Sequence, residues 1–526
     1  MSNTWIVLLP PILVLGCAAF SHNVILSLVL GIASAALIAT DFSLISSIIL
    51  TKNTLIAKAL DPNNLYLFLF LMILGFVIEM MTNSGGIKAY TKKLQKHIKD
   101  QRSTESTSLV LSSLFFLDDY MGGLTVGAIM RPLTDSVNIP RAKLAFLINS
   151  VSSPLCVLIP ASTWVALILG QLEEAGVSDI LSDKPKILAD PLYTYLQTIP
   201  FIFYAIFMMI ATWLIVRKKI SFGTMHEYET IAQTTGNVFG GKEARHGGIV
   251  CDNKEGTIAG FFIPLGTFLT TMIFCIFYSG NARILGGINS LGVALKETDS
   301  FWSLFIASSC AALASIIYFN YKKLLSLKEI VKNAQSGFNL TKTSIIVLYL
   351  AYVFSAILIT DLQAGVYLAH LITGILPLFM LPLIVFILST VITAGTGSSW
   401  STIAVMLPLT INMLVALAHG TLPLTTDVIP QFFATLGALI AGSVAGSQFS
   451  PITDSTIMAS TASGSYLMDH VQTQVVYSIP ALVGSCITFL LIGLFNNHPT
   501  MLSYGAATLA GLAVTVGILL FRNKNR

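Results

Sequence analysis

The amino-acid sequence predicts an all-α polytopic membrane protein, with about 11 transmembrane helices and two re-entrant hairpins in an inverted-topology repeat. Of its 526 residues, 54% are hydrophobic and 10% charged, too little charge to clothe a water-soluble surface of this size. Apolar stretches near the roughly 20 residues that cross a bilayer recur from Trp5 to Phe521. Inside them one polar pattern occurs twice. Leu117-Asp118-Asp119-Tyr120-Met121-Gly122-Gly123 leads to Met130-Arg131-Pro132-Leu133-Thr134 and then to Asn149-Ser150-Val151-Ser152-Ser153-Pro154. In the second half, Ala394-Gly395-Thr396-Gly397-Ser398-Ser399 leads to Met406-Leu407-Pro408-Leu409-Thr410 and then to Ser450-Pro451-Ile452-Thr453-Asp454-Ser455-Thr456. Such a duplication implies a transporter whose binding site lies where broken segments of the two halves meet.

The basic residues order the elements. Lys and Arg concentrate at Lys88–Arg102, Arg131–Lys143, Arg217–Arg245, Lys322–Lys342 and Arg522–Arg526, and the positive-inside rule puts all five in the cytoplasm. Met1–Thr4 carries no basic cluster, so 5–20 reads as a retained helix rather than a cleaved signal. Helices at 5–20, 24–40 and 65–81 then lead from outside to the Lys88 loop. Segment 108–130 enters from the cytoplasm and returns there, turning at Gly122-Gly123. Helices at 144–170 and 195–216 flank an outer loop with Glu173, Glu174, Asp183 and Asp190. Helices at 257–279 and 301–320 form a central pair, and one at 343–361 follows. Segment 383–416 enters from outside and returns, turning near Gly395-Thr396-Gly397; helices at 430–460, 474–494 and 501–521 bring the C-terminus inside. Residues 1–216 and 321–526 are thus the repeat halves, joined by a solvated cytoplasmic loop at 217–256 and the central pair at 257–320. The stretch 361–382, broken by Asp361, Gln363, His370 and Pro377, is left open between a span, an interfacial segment and a part of the second hairpin.

Asp118 and Asp119 carry the strongest chemical signal. An ionised Asp at the bilayer centre costs roughly 2.5–3.5 kcal/mol even on the lenient insertion scale, so a pair there requires a partner or water. Adjacent carboxylates also raise each other's proton affinity, which suits a site that alternates between protons and a hard cation. Asp454 follows a Ser-Pro break whose Ser450, Thr453 and Ser455 add oxygen ligands suited to Na⁺; capping of a new helix is the structural alternative. Asn149, Ser152 and Ser153 are the first-half counterpart of that break, and Thr396, Ser398 and Ser399 the second-half counterpart of the aspartate hairpin. Small polar residues also pack membrane helices, so the repeat alone raises these to supporting ligands. Glu79 reads as snorkelling to the interface. The six cysteines show no CxxC or Cys/His spacing, which indicates neither disulfides nor zinc. No HExxH, GxSxG or phosphate-binding loop points to an enzyme, and the net charge of +4 calls for no nucleic acid.

The run Asp118-Asp119-Tyr120 through Leu124-Thr125-Val126-Gly127, Met130-Arg131-Pro132 and Thr134-Asp135, followed by Lys143-Leu144-Ala145 and Ser153-Pro154, resembles the NhaC-type sodium/proton antiporter family. So does Gly395-Thr396-Gly397-Ser398-Ser399-Trp400 with Ser450 to Thr456, and the match runs from about Leu65 to Pro480. The resemblance implies a bacterial inner-membrane antiporter that exchanges Na⁺ for H⁺ at Asp118, Asp119 and Asp454, with no cofactor and with the lipid bilayer as its setting. Pairing with a second copy is left open. One departure stands out: where the family commonly has Gly-Asp-His before Ser-Pro, this chain has Gly446-Ser447-Gln448-Phe449-Ser450, which removes a ligand and a proton relay. That departure, with the family's exchangers of small organic anions and amines, keeps a proton- or Na⁺-coupled carrier of an organic solute as the alternative.

Overall fold

The protein is seen in a computed structural model that describes residues 5–21, 23–86, 89, 100–178, 185–243, 256–296, 298–364, 366–367, 377–418, 421–429, 431–451, 453–495 and 501–524. Most of Lys88–Arg102, with Asp183, Arg245, Cys251, His370 and Ile452, lies outside the described residues. The helices of the first half are α1 (Leu9–Ser21), α2 (Val24–Ala39), α3 (Leu44–Leu60), α4 (Pro62–Asn83), α5 (Gln101–Leu114), α6 (Asp119–Ser136), α7 (Arg141–Cys156), α8 (Thr163–Glu174), α9 (Pro191–Thr198) and α10 (Phe203–Lys218). Then come α11 (Gly223–Thr235), α12 (Ala259–Ser279), α13 (Leu291–Lys296) and α14 (Ser300–Tyr321). The second half holds α15 (Leu327–Ala356), α16 (Leu381–Thr396), α17 (Ser399–Leu417), α18 (Phe432–Phe449), α19 (Asp454–Ser463), α20 (Leu467–Leu494) and α21 (Met501–Lys524).

The fold is an all-α polytopic one. Among the described residues nine helices are long and apolar enough to cross a bilayer, ten if the pair Pro191–Phe201 and Phe203–Thr235, bent by 50°, is one span; Trp5–Cys17 and Val24–Ala39 are shorter apolar helices. Each predicted span has its helix, but those at 144–170, 195–216 and 430–460 are split, into α7/α8, α9/α10 and α18/α19. Helix α3 escapes the sequence pattern because Lys52, Asn53 and Lys58 interrupt its apolar face, on which Leu44, Ile45, Ile48 and Ile49 are exposed.

Contacts between loops fix which ends share a face. Gln101 Nε2 at the start of α5 donates to the Val137 carbonyl just past α6 at 2.9 Å, so α5 and α6 form a hairpin open on one face. Helix α5 has 14 residues, about 21 Å of helix, shorter than the hydrocarbon layer. Its cap Asp100 accepts from Ser103 N, which holds its exposed carboxyl below the usual range. Arg141 N donates to Val238 O at 3.0 Å and Ser221 N to Asn523 Oδ1 at 3.2 Å. The mouth of this hairpin, the 217–243 segment and the C-terminal helix end therefore share one face, here called the basic face.

The opposite, acidic face carries Glu173 and Glu174. There β1 (Val177–Ser178) pairs in parallel with β2 (Ile187–Leu188), and Leu188 N donates to Leu424 O at 2.9 Å. That contact places the segment after α17 on this face. Helix α20 starts on the basic face, where Lys242 Nζ lies 2.5 Å from Asp469 Oδ1. At its far end a Cβ on Gly493 would stand 1.7 Å from the Phe379 carbonyl, so the start of α16 is on the acidic face too. The two hairpins open on opposite faces, the inverted relation that the basic loops predict.

Three expectations need correction. Gly122 and Gly123 do not form the first turn; both lie inside α6, and the chain reverses at Phe115–Asp118. Gly122 serves packing instead, since a Cβ there would stand 2.9 Å from the Phe115 carbonyl oxygen. The first broken crossing parts at Val157–Ser162 rather than at Asn149–Pro154, because α7 carries Pro154 within it. The segment 217–256 is not simply a solvated loop: it contains α11, whose Glu229 joins buried Lys143. The second turn falls as expected, with Gly397 at φ +70° ending α16 and Ser398 capping α17.

Candidate functional site: four half-helix N-termini

The tip of the first hairpin bridges both ends of the broken α7/α8 crossing. Thr163 N, at the start of α8, donates to Leu117 O at 2.9 Å, and Thr163 Oγ1 to Asp118 Oδ2 at 3.1 Å. From the end of α7, Ser153 Oγ donates to Asp119 Oδ2 at 3.0 Å and Cys156 Sγ to Phe116 O at 3.2 Å. Asp119 is buried and opens α6, where the helix dipole favours a negative charge. Its Oδ1 is buried and completes no hydrogen bond among the described residues. Asp118 borders a cavity of about 20 Å³, lined also by Thr82, Thr125, Phe115 and Phe261, which is room for about one water.

The second half repeats the arrangement. Ser398 accepts from Ser401 N at 3.2 Å, and Ser399 Oγ donates to Ser443 O at 3.0 Å on α18. Helix α18 ends at Phe449 and α19 begins at Asp454. Thr453 caps α19 without a side-chain hydrogen bond; its Oγ1 and Ser455 Oγ are buried with no partner among the described residues.

Two parallel pairs of half-helices then meet at mid-depth. Helices α6 and α19 both run toward the basic face, so close that a Cβ on Gly127 would stand 2.4 Å from Ala462 Cβ. Asp119 and Asp454 each lie eight positions before that contact, about 12 Å along each helix at the α-helical rise, and so at like depth. Helices α8 and α17 both run toward the acidic face. Their second residues, Trp164 and Trp400, meet edge to face at 6.3 Å; among the described residues neither buried indole N–H completes a hydrogen bond, and that of Trp164 faces the Asp119 carboxyl. The first hairpin and the Ser-Pro break are thereby juxtaposed, as the repeat predicts. Asp454 is exposed at the start of α19, while Ser153 of α7 holds Asp119 and Thr163 of α8 holds Asp118.

The other expected ligands are placed as follows. Ser152 Oγ returns to its own helix at Ile148 O, 2.9 Å. Thr396 Oγ1 accepts from Ser398 N at 3.3 Å within the second tip. Asn149 bonds neither carboxylate among the described residues, its Nδ2 lying 3.4 Å from His470 Nε2. Ser450 is buried beside the break.

Sequence reasoning missed a buried polar cluster between this centre and the basic face. Gln448 Nε2 donates to Asn149 O at 3.1 Å, and its Oε1 accepts from Tyr204 Oη at 2.7 Å and Gln474 Nε2 at 3.2 Å. Gln474 also donates to Ser150 Oγ at 3.1 Å and Ser478 Oγ at 3.0 Å. Gln448 stands where the family pattern commonly has histidine, yet His470, one turn before Gln474, is wholly buried beside the same Asn149. The signal was there in the polar residues of α20, His470, Gln474 and Ser478, at helical spacing. Nearer the basic face, buried Lys143 Nζ lies 2.6 Å from Glu105 Oε1 and pairs also with Glu229, joining α5, α7 and α11.

Comparison with known proteins fits this architecture. The sequence profile described as the Na⁺/H⁺ antiporter family matches residues 155–494. An uncharacterized protein of Haemophilus influenzae is 27% identical over 531 aligned residues, spanning 100% of this chain and 96% of that protein. The malate-2H⁺/Na⁺-lactate antiporter of Bacillus subtilis is 31% identical over 111 residues, 20% of each chain. Among solved structures, the YdaH transporter of Alcanivorax borkumensis shares the fold at a TM-score of 0.53 and 14% identity, over 84% of this chain and 87% of that one.

Proposed function

Because the chain belongs to the Na⁺/H⁺ antiporter family, a family of secondary transporters, we propose that it exchanges Na⁺ for protons by competition at Asp118 and Asp119. The observation that carries this reading is the size and chemistry of the space beside Asp118. About 20 Å³ holds one water-sized particle, with Asp118, Thr82 and Thr125 set in a wall that is otherwise apolar. Na⁺, a hard cation, favours carboxylate and hydroxyl oxygens. Two adjacent carboxylates are costly empty, and either protons or Na⁺ relieve that cost. A site that is always filled by one or the other, and that changes the face it opens to when filled, is an exchanger. Hydroxyls at Ser153 and Thr163 hold the carboxylates in place, and Asp454 supplies a further acid at like depth. The basic face carries Arg102, Arg141, Lys143, Arg217 and Arg522, and we place it in the cytoplasm of a bacterial inner membrane.

A second reading has its own support. The buried Trp400 indole N–H, without an acceptor among the described residues, and four helix N-termini form a donor-rich centre, which suits the carboxylate of a small organic anion; the Bacillus subtilis relative is named for such exchange. Proteoliposomes holding a pH dye separate the two. On the first reading, Na⁺ alone drives proton movement and its apparent affinity weakens as pH falls. Flux that appears only when an organic acid is added transfers the assignment to the second.

A further inference from the structure

We propose that His470 is a proton-exchanging residue of the transport cycle, passing protons between the Asp118–Asp119 carboxylates and the basic face. The proposal rests on the Na⁺/H⁺ reading above. His470 is wholly buried three residues into the span of α20, immediately after Asp469, whose carboxylate meets Lys242 at that face. On its inner side lies Asn149, one helical turn along α7 from Ser153, which bonds Asp119. Ser153 and Asn149 share a face of α7 by their four-residue spacing. The imidazole thus stands between Asp469, a buried carboxylate paired with the exposed Lys242 at the basic face, and the carboxylate-bearing tip.

Its hydrogen bonding also suits proton exchange. A neutral imidazole donates from one nitrogen and accepts at the other. The Asn149 amide serves either tautomer, donating through Nδ2 to a bare Nε2 or, turned over, accepting at Oδ1 from Nε2–H. Both His470 Nδ1 and Asn149 Oδ1 are buried with no partner among the described residues. Among the described residues no charged group locks the ring in one state. Of those on the elements packed around α20, Arg141 is held by Asp135 and Lys143 by Glu105 and Glu229. Arg217, Lys218, Arg522 and Lys524 occupy the last turns of α10 and α21 at the face. On α11, His226 lies near Ser221 Oγ and Glu227 on the same surface helix; Asp454 is exposed at the start of α19. The step moves a proton alone: as Na⁺ takes the carboxylates, their proton passes to an imidazole nitrogen, and the opposite nitrogen releases one to water at the basic face.

The test compares two fluxes in the full-length protein in liposomes. Na⁺-gradient-driven proton movement needs the relay, whereas exchange of labelled Na⁺ for Na⁺ at fixed pH does not. For His470→Gln and His470→Asn, proton-coupled flux is expected to fall at least tenfold while Na⁺ for Na⁺ exchange stays within twofold of the unaltered protein. Retention of both fluxes overturns the proposal. Loss of both together also overturns it, since the residue is then needed for packing. If the unaltered protein shows no Na⁺-driven proton movement, the antiport reading itself has failed, and that result is seen before any variant is measured.

Discussion

Trp164 and Trp400 meet edge to face at 6.3 Å, each the second residue of a half-helix that begins at the centre of the membrane domain. The pair ties the broken crossing of the first half to the hairpin of the second. Its neighbour across the centre is the Gly127–Ala462 contact between α6 and α19, so one aromatic and one small-residue joint hold the two repeats tip to tip.

The indole N–H groups distinguish the two cargo readings. Phenylalanine at either position keeps a ring but removes a donor. If Na⁺ and protons are the cargo, Trp400→Phe leaves the apparent Na⁺ affinity within about threefold. If a carboxylate is bound there, losing one hydrogen bond to a charged group weakens solute affinity by about 1.5–3 kcal/mol, roughly ten- to a hundredfold. Initial rates over a concentration series measure the difference.

Asp118→Asn and Asp119→Asn keep the side-chain shape but cannot alternate between proton and cation. Each is expected to reduce Na⁺-driven proton flux by more than tenfold, with insertion and detergent-solubilised size unchanged. In the unaltered protein the sign of the pH effect follows from competition: lower pH fills the carboxylates with protons and raises the Na⁺ concentration for half-maximal flux. A half-maximal Na⁺ concentration independent of pH would count against a shared site.

Gly127→Val places methyl groups where Ala462 already stands at contact distance. Overpacking of this kind costs about 1–3 kcal/mol, so the variant should unfold several degrees lower in a thermal scan and transport poorly. Gly395→Ala is the control, since nothing lies within 4 Å of its added Cβ. Equal behaviour of the two variants would remove the close contact of α6 and α19 from the argument.

The inverted arrangement is open to labelling. In a cysteine-free background, Thr235→Cys on α11 and Val428→Cys after α17, both exposed, should react from opposite sides of the membrane. An impermeant maleimide added to intact cells is expected to modify Val428→Cys alone.

The apolar spans, the two polar breaks and the paired aspartates were legible in the sequence because each is a local pattern: hydropathy over a span, glycine and hydroxyls in a break, charge where lipid is expected. Opposite hairpin openings were legible as well, since basic loops report sidedness. Where the breaks fall was read less well. Pro154 looks like a stop yet sits inside α7, because neighbouring helices and side chains satisfy the backbone groups that a proline frees. Gly122 looks like a turn but is a packing residue, because a glycine gives the same signal for either use.

By itself, then, the sequence determined the membrane class, the duplication and Asp118 and Asp119 as the place of highest electrostatic cost. Only the tertiary structure decided that Ser153 and Thr163 hold those carboxylates from the two ends of one broken crossing. It alone set Asp454 level with Asp119 through a contact between Gly127 and Ala462. It also brought His470 to Asn149 across 321 positions of chain. The physical reason is that hydropathy and helix breaks depend on residues near in sequence, whereas hydrogen bonds between buried side chains depend on how separate helices pack, and no local pattern encodes that.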